Sequence, residues 1–102
     1  MLQLRPNCEY CDKDLPPDSE EACICTYECT FCRDCVETNL HNVCPNCGGS
    51  FEKRPIRPKI ARRKGVSLEF QPASKERIHL KQDREEVSSF AEQHREIPPE
   101  KR

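Results

Sequence analysis

The sequence predicts a small metal-stabilised α+β fold, for two reasons. Nine of the 102 residues are cysteine, and all nine lie between Cys8 and Cys47. Only 34% of the residues are hydrophobic, even when cysteine is counted among them. A chain this short buries a small fraction of its surface, so its other apolar side chains are too few to stabilise a fold without cross-links or metal ions.

The cysteine pattern favours metal ions over disulfide bonds. The segment Met1–Asn7 has neither the apolar core nor the small-residue cleavage site of a signal peptide. No stretch has the roughly 20 apolar residues of a membrane span, so we expect a cytoplasmic protein without a membrane segment. Thiols stay reduced in the cytoplasm, where an odd number of cysteines, mostly in C-x-x-C pairs, indicates metal binding.

Charge changes sign near residue 51, which predicts the domain organisation. Residues 1–51 carry three basic and nine acidic residues, whereas residues 52–102 carry fourteen basic and nine acidic residues. We assign residues 1–51 to a cysteine-rich module and residues 52–65 to a basic linker. The linker alternates proline with cations, which favours an extended spacer. Residues 66–102 form a charged tail.

The tail is predicted to be extended or partly helical. Apolar and polar residues alternate over 66–70, a period-two pattern compatible either with one strand that pairs with another segment or with a loose segment. Asp83 followed by Glu86 resembles a capping box and predicts a short helix over 84–95, which must end before Pro98. A helix of this length is marginal in isolation, so the tail is either partly disordered or folded against a partner.

Within the module we expect an acidic loop over 14–21, a hairpin strand over 23–28 and one short helix over 34–40. The side chains predicted to form the core are Tyr10, Leu15, Ile24, Tyr27, Phe31, Val36, Leu40 and Val43. So small a core cannot offset the entropy lost when about 50 residues become ordered. Metal binding must therefore supply the difference, as it does in other small metal-dependent domains.

Eight of the nine cysteines have the spacing of two four-coordinate zinc sites. Two residues between cysteines allow a tight turn to point both sulfurs at one ion about 2.3 Å away. Four thiolates leave no position for water or substrate, so we expect two structural zinc ions per chain. Cys23 is expected to be a free thiol, although it is close enough to Cys25 to replace that ligand. The predicted ligands are Cys8, Cys11, Cys25, Cys29, Cys32, Cys35, Cys44 and Cys47.

The order of these ligands, ending in Cys44-Pro45-x-Cys47, resembles that of a RING finger. The resemblance implies a small zinc-stabilised α+β fold with a cross-brace. Cys8, Cys11, Cys32 and Cys35 would then share one ion, and Cys25, Cys29, Cys44 and Cys47 the other. The alternative is a sequential, LIM-like pairing of the first four and the last four ligands. Loop lengths favour the cross-brace, because LIM fingers have longer segments than the eight residues between Cys35 and Cys44.

A more specific resemblance rests on four runs of the module: Met1–Cys8, Asp14–Ser19, Glu28–Cys35 and Val43–Gly49. Together they resemble a family of small bacterial cysteine-rich proteins known only as a domain of unknown function. The resemblance covers about half of the chain and implies a RING-like two-zinc fold in an intracellular bacterial protein. It implies no established activity.

The function we expect is that of a non-catalytic structural zinc protein, a protein–protein interaction module or adaptor. No enzyme motif is present, since three glycines leave no phosphate-binding loop and no Ser-His-Asp arrangement occurs. One alternative is a ubiquitin-ligase-like RING. RING ligases tend to carry an aromatic residue before the last cysteine pair and a cation after it, where this chain has Leu40, Val43 and Gly48-Gly49.

The other alternative is weak nucleic-acid binding through the linker. Its candidate phosphate-binding residues are Lys53, Arg54, Arg57, Lys59, Arg62, Arg63 and Lys64. The same cations could instead be a solvated spacer or rest against the acidic module. We expect any such binding to be weak, because neither an aromatic stacking platform nor a recognition helix accompanies the cations.

Overall fold

A three-stranded antiparallel sheet lies at the centre of the computed structural model, which describes residues 1–102. The strands are β1 (Ala22–Ile24), β2 (Thr30–Cys32) and β3 (Glu52–Lys53), in the order β2-β1-β3. Cys23 pairs with Phe31 of β2 on one side and with Lys53 of β3 on the other. The predicted hairpin is therefore present, with β1 and β2 as its arms.

One short helix, α1 (Arg33–Thr38), follows β2 without a loop and lies where the sequence predicts a helix. Cys35 and Val36 are its buried residues. The amides of Asn39 and Leu40 both donate to the carbonyl of Cys35, which closes the last turn. Leu40 then enters the core, so the helix begins one residue before and ends two residues before the predicted bounds.

The core is a cluster of fourteen buried residues, of which seven are cysteines. Phe31 and Phe51 pack edge to face at its centre, with ring centroids 5.4 Å apart. Most of the predicted core residues are buried or partly buried. The prediction that Tyr27 belongs to the core is wrong, because this residue is 72% exposed. It lies in the turn between β1 and β2, and this turn projects into solvent.

The predicted linker over 52–65 is wrong at its first residues. Glu52 and Lys53 form β3, and Arg54 is 1% exposed. Pairing of β3 with β1 brings Arg54 beneath the loops of the module. Its guanidinium there donates hydrogen bonds to three backbone carbonyl groups, those of residues 5, 15 and 16.

The strand predicted over 66–70 is also wrong, since this segment forms turns. The amides of Phe70 and Gln71 both donate to the carbonyl of Ser67, which is itself buried. Apolar alternation produces a strand only where a neighbouring strand accepts its hydrogen bonds, and none lies beside this segment.

The tail folds back onto the module and ends in the predicted helix, α2 (Arg84–His94). Asp83 caps it by accepting a hydrogen bond from the Glu86 amide at 2.8 Å. Val87 and Ala91 are its buried residues, and a 3₁₀ turn over Pro99–Lys101 follows. Neither helix has the length and apolar content required to cross a membrane.

Candidate metal centres

The first cysteine group joins the first and third C-x-x-C pairs. The sulfur atoms of Cys8, Cys11, Cys32 and Cys35 all lie within 4.8 Å of one another. The Sγ atoms of Cys11 and Cys32 are 3.8 Å apart. Tetrahedral geometry with metal–sulfur bonds of about 2.3 Å requires sulfur–sulfur distances of about 3.8 Å. The donors present therefore fit a four-coordinate, thiolate-bound metal ion.

The second group joins the remaining pairs. The sulfur atoms of Cys25, Cys44 and Cys47 lie within 4.8 Å of one another. Cys29, the fourth predicted ligand of this group, is buried and its thiol interacts with those of Cys44 and Cys25, but its sulfur is not among those that lie within 4.8 Å of one another. Because each group draws on non-adjacent pairs, the cross-brace is confirmed and the sequential pairing is wrong.

The first and last C-x-x-C turns have the same backbone geometry. The amide four residues after the first cysteine donates back to its carbonyl, from Asp12 to Cys8 and from Gly48 to Cys44. Both donors adopt left-handed backbone, with φ of 65° at Asp12 and 79° at Gly48. This turn points the two sulfurs of a pair in the same direction.

Several thiols receive hydrogen bonds from nitrogen donors. The Tyr27 amide donates to Cys25 Sγ at 3.3 Å, and the Gly49 amide donates to Cys47 Sγ at 3.4 Å. The side-chain amide of Asn39 donates to Cys35 Sγ at 3.6 Å. Such donors stabilise negative charge on sulfur, which suits thiolate ligands of a metal ion.

Burial and crowding perturb the protonation of these thiols. Burial raises the pKa of Cys8 and that of Cys25 to about 11. A hydrogen bond from Cys44 lowers the pKa of Cys29 to about 5, and the same interaction raises the pKa of Cys44. A metal ion must displace protons from the high-pKa thiols, so its affinity for both groups rises with pH.

Glu9 is a buried carboxylate next to the first group, and the sequence interpretation missed it. Its Oε2 atom accepts hydrogen bonds from the Thr30 amide at 2.6 Å and from Arg5 Nη1 at 2.8 Å. Burial raises the pKa of Glu9, and these donors oppose that rise. Its backbone also pairs with Thr30 and with Leu80 of the tail. Glu9 therefore links the first cysteine turn to β2 and to the tail.

The tail covers the last cysteine turn. The Phe90 ring would lie 3.6 Å from a Cβ atom placed on Gly48. Arg102 Nη1 donates to the carbonyls of Asn42 at 2.8 Å and of Gly48 at 3.3 Å. The tail thus packs on the turn that carries Cys44 and Cys47, an arrangement that the sequence did not indicate.

Cys23 and the histidines belong to neither group. Cys23 lies buried in β1, and burial raises the pKa of its thiol. His41 lies in the loop after α1 with φ of 50°. In the tail, His79 Nε2 is 3.0 Å from an Asp12 carboxylate oxygen, and His94 Nδ1 is 2.8 Å from the carbonyl oxygen of Phe90.

The candidate phosphate-binding cations fall into two sets. The prediction that Arg54 can bind phosphate is wrong, because a buried side chain that donates hydrogen bonds to three carbonyls cannot contact a phosphate. Arg57 is half-buried and donates to the carbonyls of Leu2 and Gln71. The remaining cations are exposed: Lys53, Lys59, Arg62, Arg63 and Lys64.

Comparisons with known proteins place the module in a family. The family model described as "Protein of unknown function (DUF1272)" matches residues 1–57. An uncharacterised protein from Rhizobium meliloti (strain 1021) is 56% identical over 78 residues, which is 76% of this chain and 86% of that protein. No solved structure matches the chain. The match covers more than half of the chain, and the chain therefore belongs to the DUF1272 family.

Proposed function

We propose that this is a non-catalytic, structural zinc protein that acts as a protein–protein interaction module. The observation that carries the proposal is the first cysteine group, in which four sulfur atoms lie within 4.8 Å of one another. Four thiolates complete a tetrahedral shell and leave no position for a reacting water molecule or substrate. A site of this kind stabilises a fold and supplies no catalytic group.

Zinc is the ion that best suits these donors. An all-sulfur tetrahedral site selects zinc or an iron–sulfur cluster, because thiolates are soft ligands. Each of the two cysteine groups is compact, and the Cys11–Cys32 separation of 3.8 Å equals the edge expected around a single ion. We therefore assign one zinc ion to each group, with Cys29 as the fourth ligand of the second.

The fold depends on these ions for its stability. The strands are two or three residues long, and half of the fourteen core residues are cysteines. Without metal, the buried thiols whose pKa values are raised would stay protonated, and protonated thiols interact only weakly with one another. The ions instead join the first turn to the start of α1, and the β1–β2 turn to the loop after α1. Zinc binding thus replaces the apolar burial that the chain lacks.

The surface supports an interaction role better than a catalytic one. A depression of about 460 Å³ is lined only by residues of α2 and its cap, and another of about 440 Å³ is lined by residues of α1, the loop after it and the segment after α2. Both are open surface depressions, which cannot enclose a substrate or exclude water from it. A rigid surface stabilised by metal is suited to binding another protein, and we assign the chain the role of an adaptor on this basis.

Metal analysis of the full chain tests this proposal. We expect two equivalents of zinc and no iron by mass spectrometry of the acid-digested protein. Cys8→Ser and Cys44→Ser should each lose one equivalent, whereas the matched control Cys23→Ser should keep both. Chelation should abolish the dispersion of the amide NMR signals, and added zinc should restore it. One zinc ion per chain, or an amide NMR spectrum that chelation leaves unchanged, contradicts the two-site structural role.

A further inference from the structure

An unusual concentration of exposed apolar side chains lies outside the cysteine groups. Six large hydrophobic residues of the chain are exposed, and four of them lie between positions 56 and 70. Ile56 also lines a groove of about 340 Å³ together with Met1, Leu2 and Leu4. Exposed apolar side chains that line a groove mark an interaction site more often than a random surface does.

The same surface carries positive charge that no carboxylate of the chain neutralises. Arg57 forms part of the groove wall, and its guanidinium donates only to neutral carbonyl oxygens. Glu69 is the one acidic residue between 55 and 71, and it forms no ion pair. Four further exposed cations follow, none within 4.0 Å of a carboxylate: Lys59, Arg62, Arg63 and Lys64.

Internal hydrogen bonds already hold the basic loop, residues 58–71, in one conformation. The Leu68 amide donates to the Pro58 carbonyl at 2.8 Å and closes the base of the loop. The Gln71 side chain donates to the Gly65 carbonyl at 2.7 Å, and Arg57 joins the end of the loop to the N-terminal segment. A preordered loop loses little conformational entropy when it binds a partner.

We infer that the groove and the basic loop bind an acidic segment of a partner protein, with one large apolar side chain of that segment seated against Ile56. The inference rests on the proposed interaction role and names its surface. Charge complementarity selects the partner: uncompensated cations beside an apolar groove match a segment that combines carboxylates with an apolar anchor.

Two other anionic partners fit the surface less well. Nucleic acid would use the cations and the Phe70 ring but not the exposed Ile56, Ile60 and Val66, since bases stack on aromatic rings and not on aliphatic chains. An anionic membrane would use the exposed Ile60, Val66 and Phe70 of the loop but not Ile56, which lines a concave groove. A protein segment is the partner that uses both the groove and the charge.

A random peptide library displayed on phage and selected against the full zinc-loaded chain tests the inference. We expect the enriched peptides to combine several Asp or Glu residues with one large apolar residue. In fluorescence polarisation with the enriched peptides, Ile56→Ser should weaken binding about tenfold. This is the loss of affinity expected when the burial of one apolar side chain no longer contributes to binding. The double variant Arg62→Glu/Arg63→Glu should weaken it at least as much, and added salt should do the same in the native chain.

Matched controls separate this surface from general effects. Tyr27→Ser removes an exposed aromatic residue elsewhere, and Lys81→Glu reverses a charge outside the loop; neither should change peptide affinity. Zinc content is measured on every sample. Fewer than two equivalents in the native chain contradicts the proposed function itself. With both zinc ions present, the inference alone is overturned by no enrichment, by peptides without acidic residues, or by tighter binding of mixed-sequence DNA or phosphatidylserine vesicles.

Discussion

Asn7 and Ile78 are joined by two hydrogen bonds across 71 positions of the sequence. Asn7 Nδ2 donates to the Ile78 carbonyl at 2.9 Å, and the Ile78 amide donates to Asn7 Oδ1 at 3.2 Å. The side-chain amide thus pairs with the tail as a neighbouring strand would. Asn7 is fully buried, and it also bonds the Cys8 carbonyl and Asp12. It connects the first cysteine turn to the tail.

Replacing Asn7 with alanine should release the tail locally. The substitution removes both bonds to Ile78 and leaves buried backbone groups unpaired, at a cost of roughly 1–3 kcal/mol. Hydrogen exchange should accelerate at the amides of Ile78 and Leu80, while those of Gly48 and Gly49 stay protected. Gln93→Ala, on the exposed face of α2, is the control. Unchanged exchange at Ile78 would show that other contacts suffice to hold the tail.

Replacing Val87 with alanine should destabilise the whole chain, because Val87 is the α2 residue that enters the core cluster. The loss of two buried carbon atoms and the cavity left behind correspond to about 1–3 kcal/mol. Thermal unfolding in the presence of zinc measures the effect. The exposed neighbour Ser88→Ala should leave the melting temperature unchanged. Equal melting temperatures for the two variants would mean that α2 contributes nothing to the stability of the core.

Arg54→Met should be among the most destabilising substitutions outside the cysteines. Arg54 donates at 2.8 Å and 2.9 Å to the carbonyls of Arg5 and Pro16, and at 3.3 Å to that of Leu15. Methionine keeps much of the volume but leaves the carbonyls of Arg5 and Leu15 without donors, which costs about 2–4 kcal/mol. The Pro16 carbonyl keeps the Ser19 amide as a donor at 2.9 Å. Denaturant unfolding provides the measurement. Arg62→Met, at an exposed site, should change the free energy of unfolding by less than about 0.5 kcal/mol. Similar midpoints for both variants would refute the structural role of Arg54.

Gly48→Ala should weaken metal binding at one site only. Gly48 adopts left-handed backbone with φ of 79°, which costs a residue with a Cβ atom about 1 kcal/mol. The strain falls on the turn that orients Cys44 and Cys47, so one of the two zinc ions should be lost earlier in a chelator titration. Gly65→Ala is a matched control with the same φ of 79° and open space around it. It should leave both zinc affinities unchanged, and equal effects of the two substitutions would contradict the prediction.

The sequence by itself determined the local features of this protein. Two residues between cysteines suffice for a metal-binding turn, so the spacing indicated two cysteine groups. The helix α2 was predictable because its cap at Asp83 and its apolar positions lie within a few residues of one another. Each of these features depends on neighbours along the chain.

Only the tertiary structure decided where the tail lies and which polar residues are buried. Arg54 was a candidate phosphate-binding residue of the linker, and the tail was expected to be partly disordered or folded against a partner. Instead, Arg54 and Glu9 are buried, and Asn7 holds the tail on the module. The partners of Arg54 and the tail partner of Asn7 are backbone groups. Every residue carries a backbone carbonyl, so such contacts leave no mark in the sequence and are decided only when distant segments pack together.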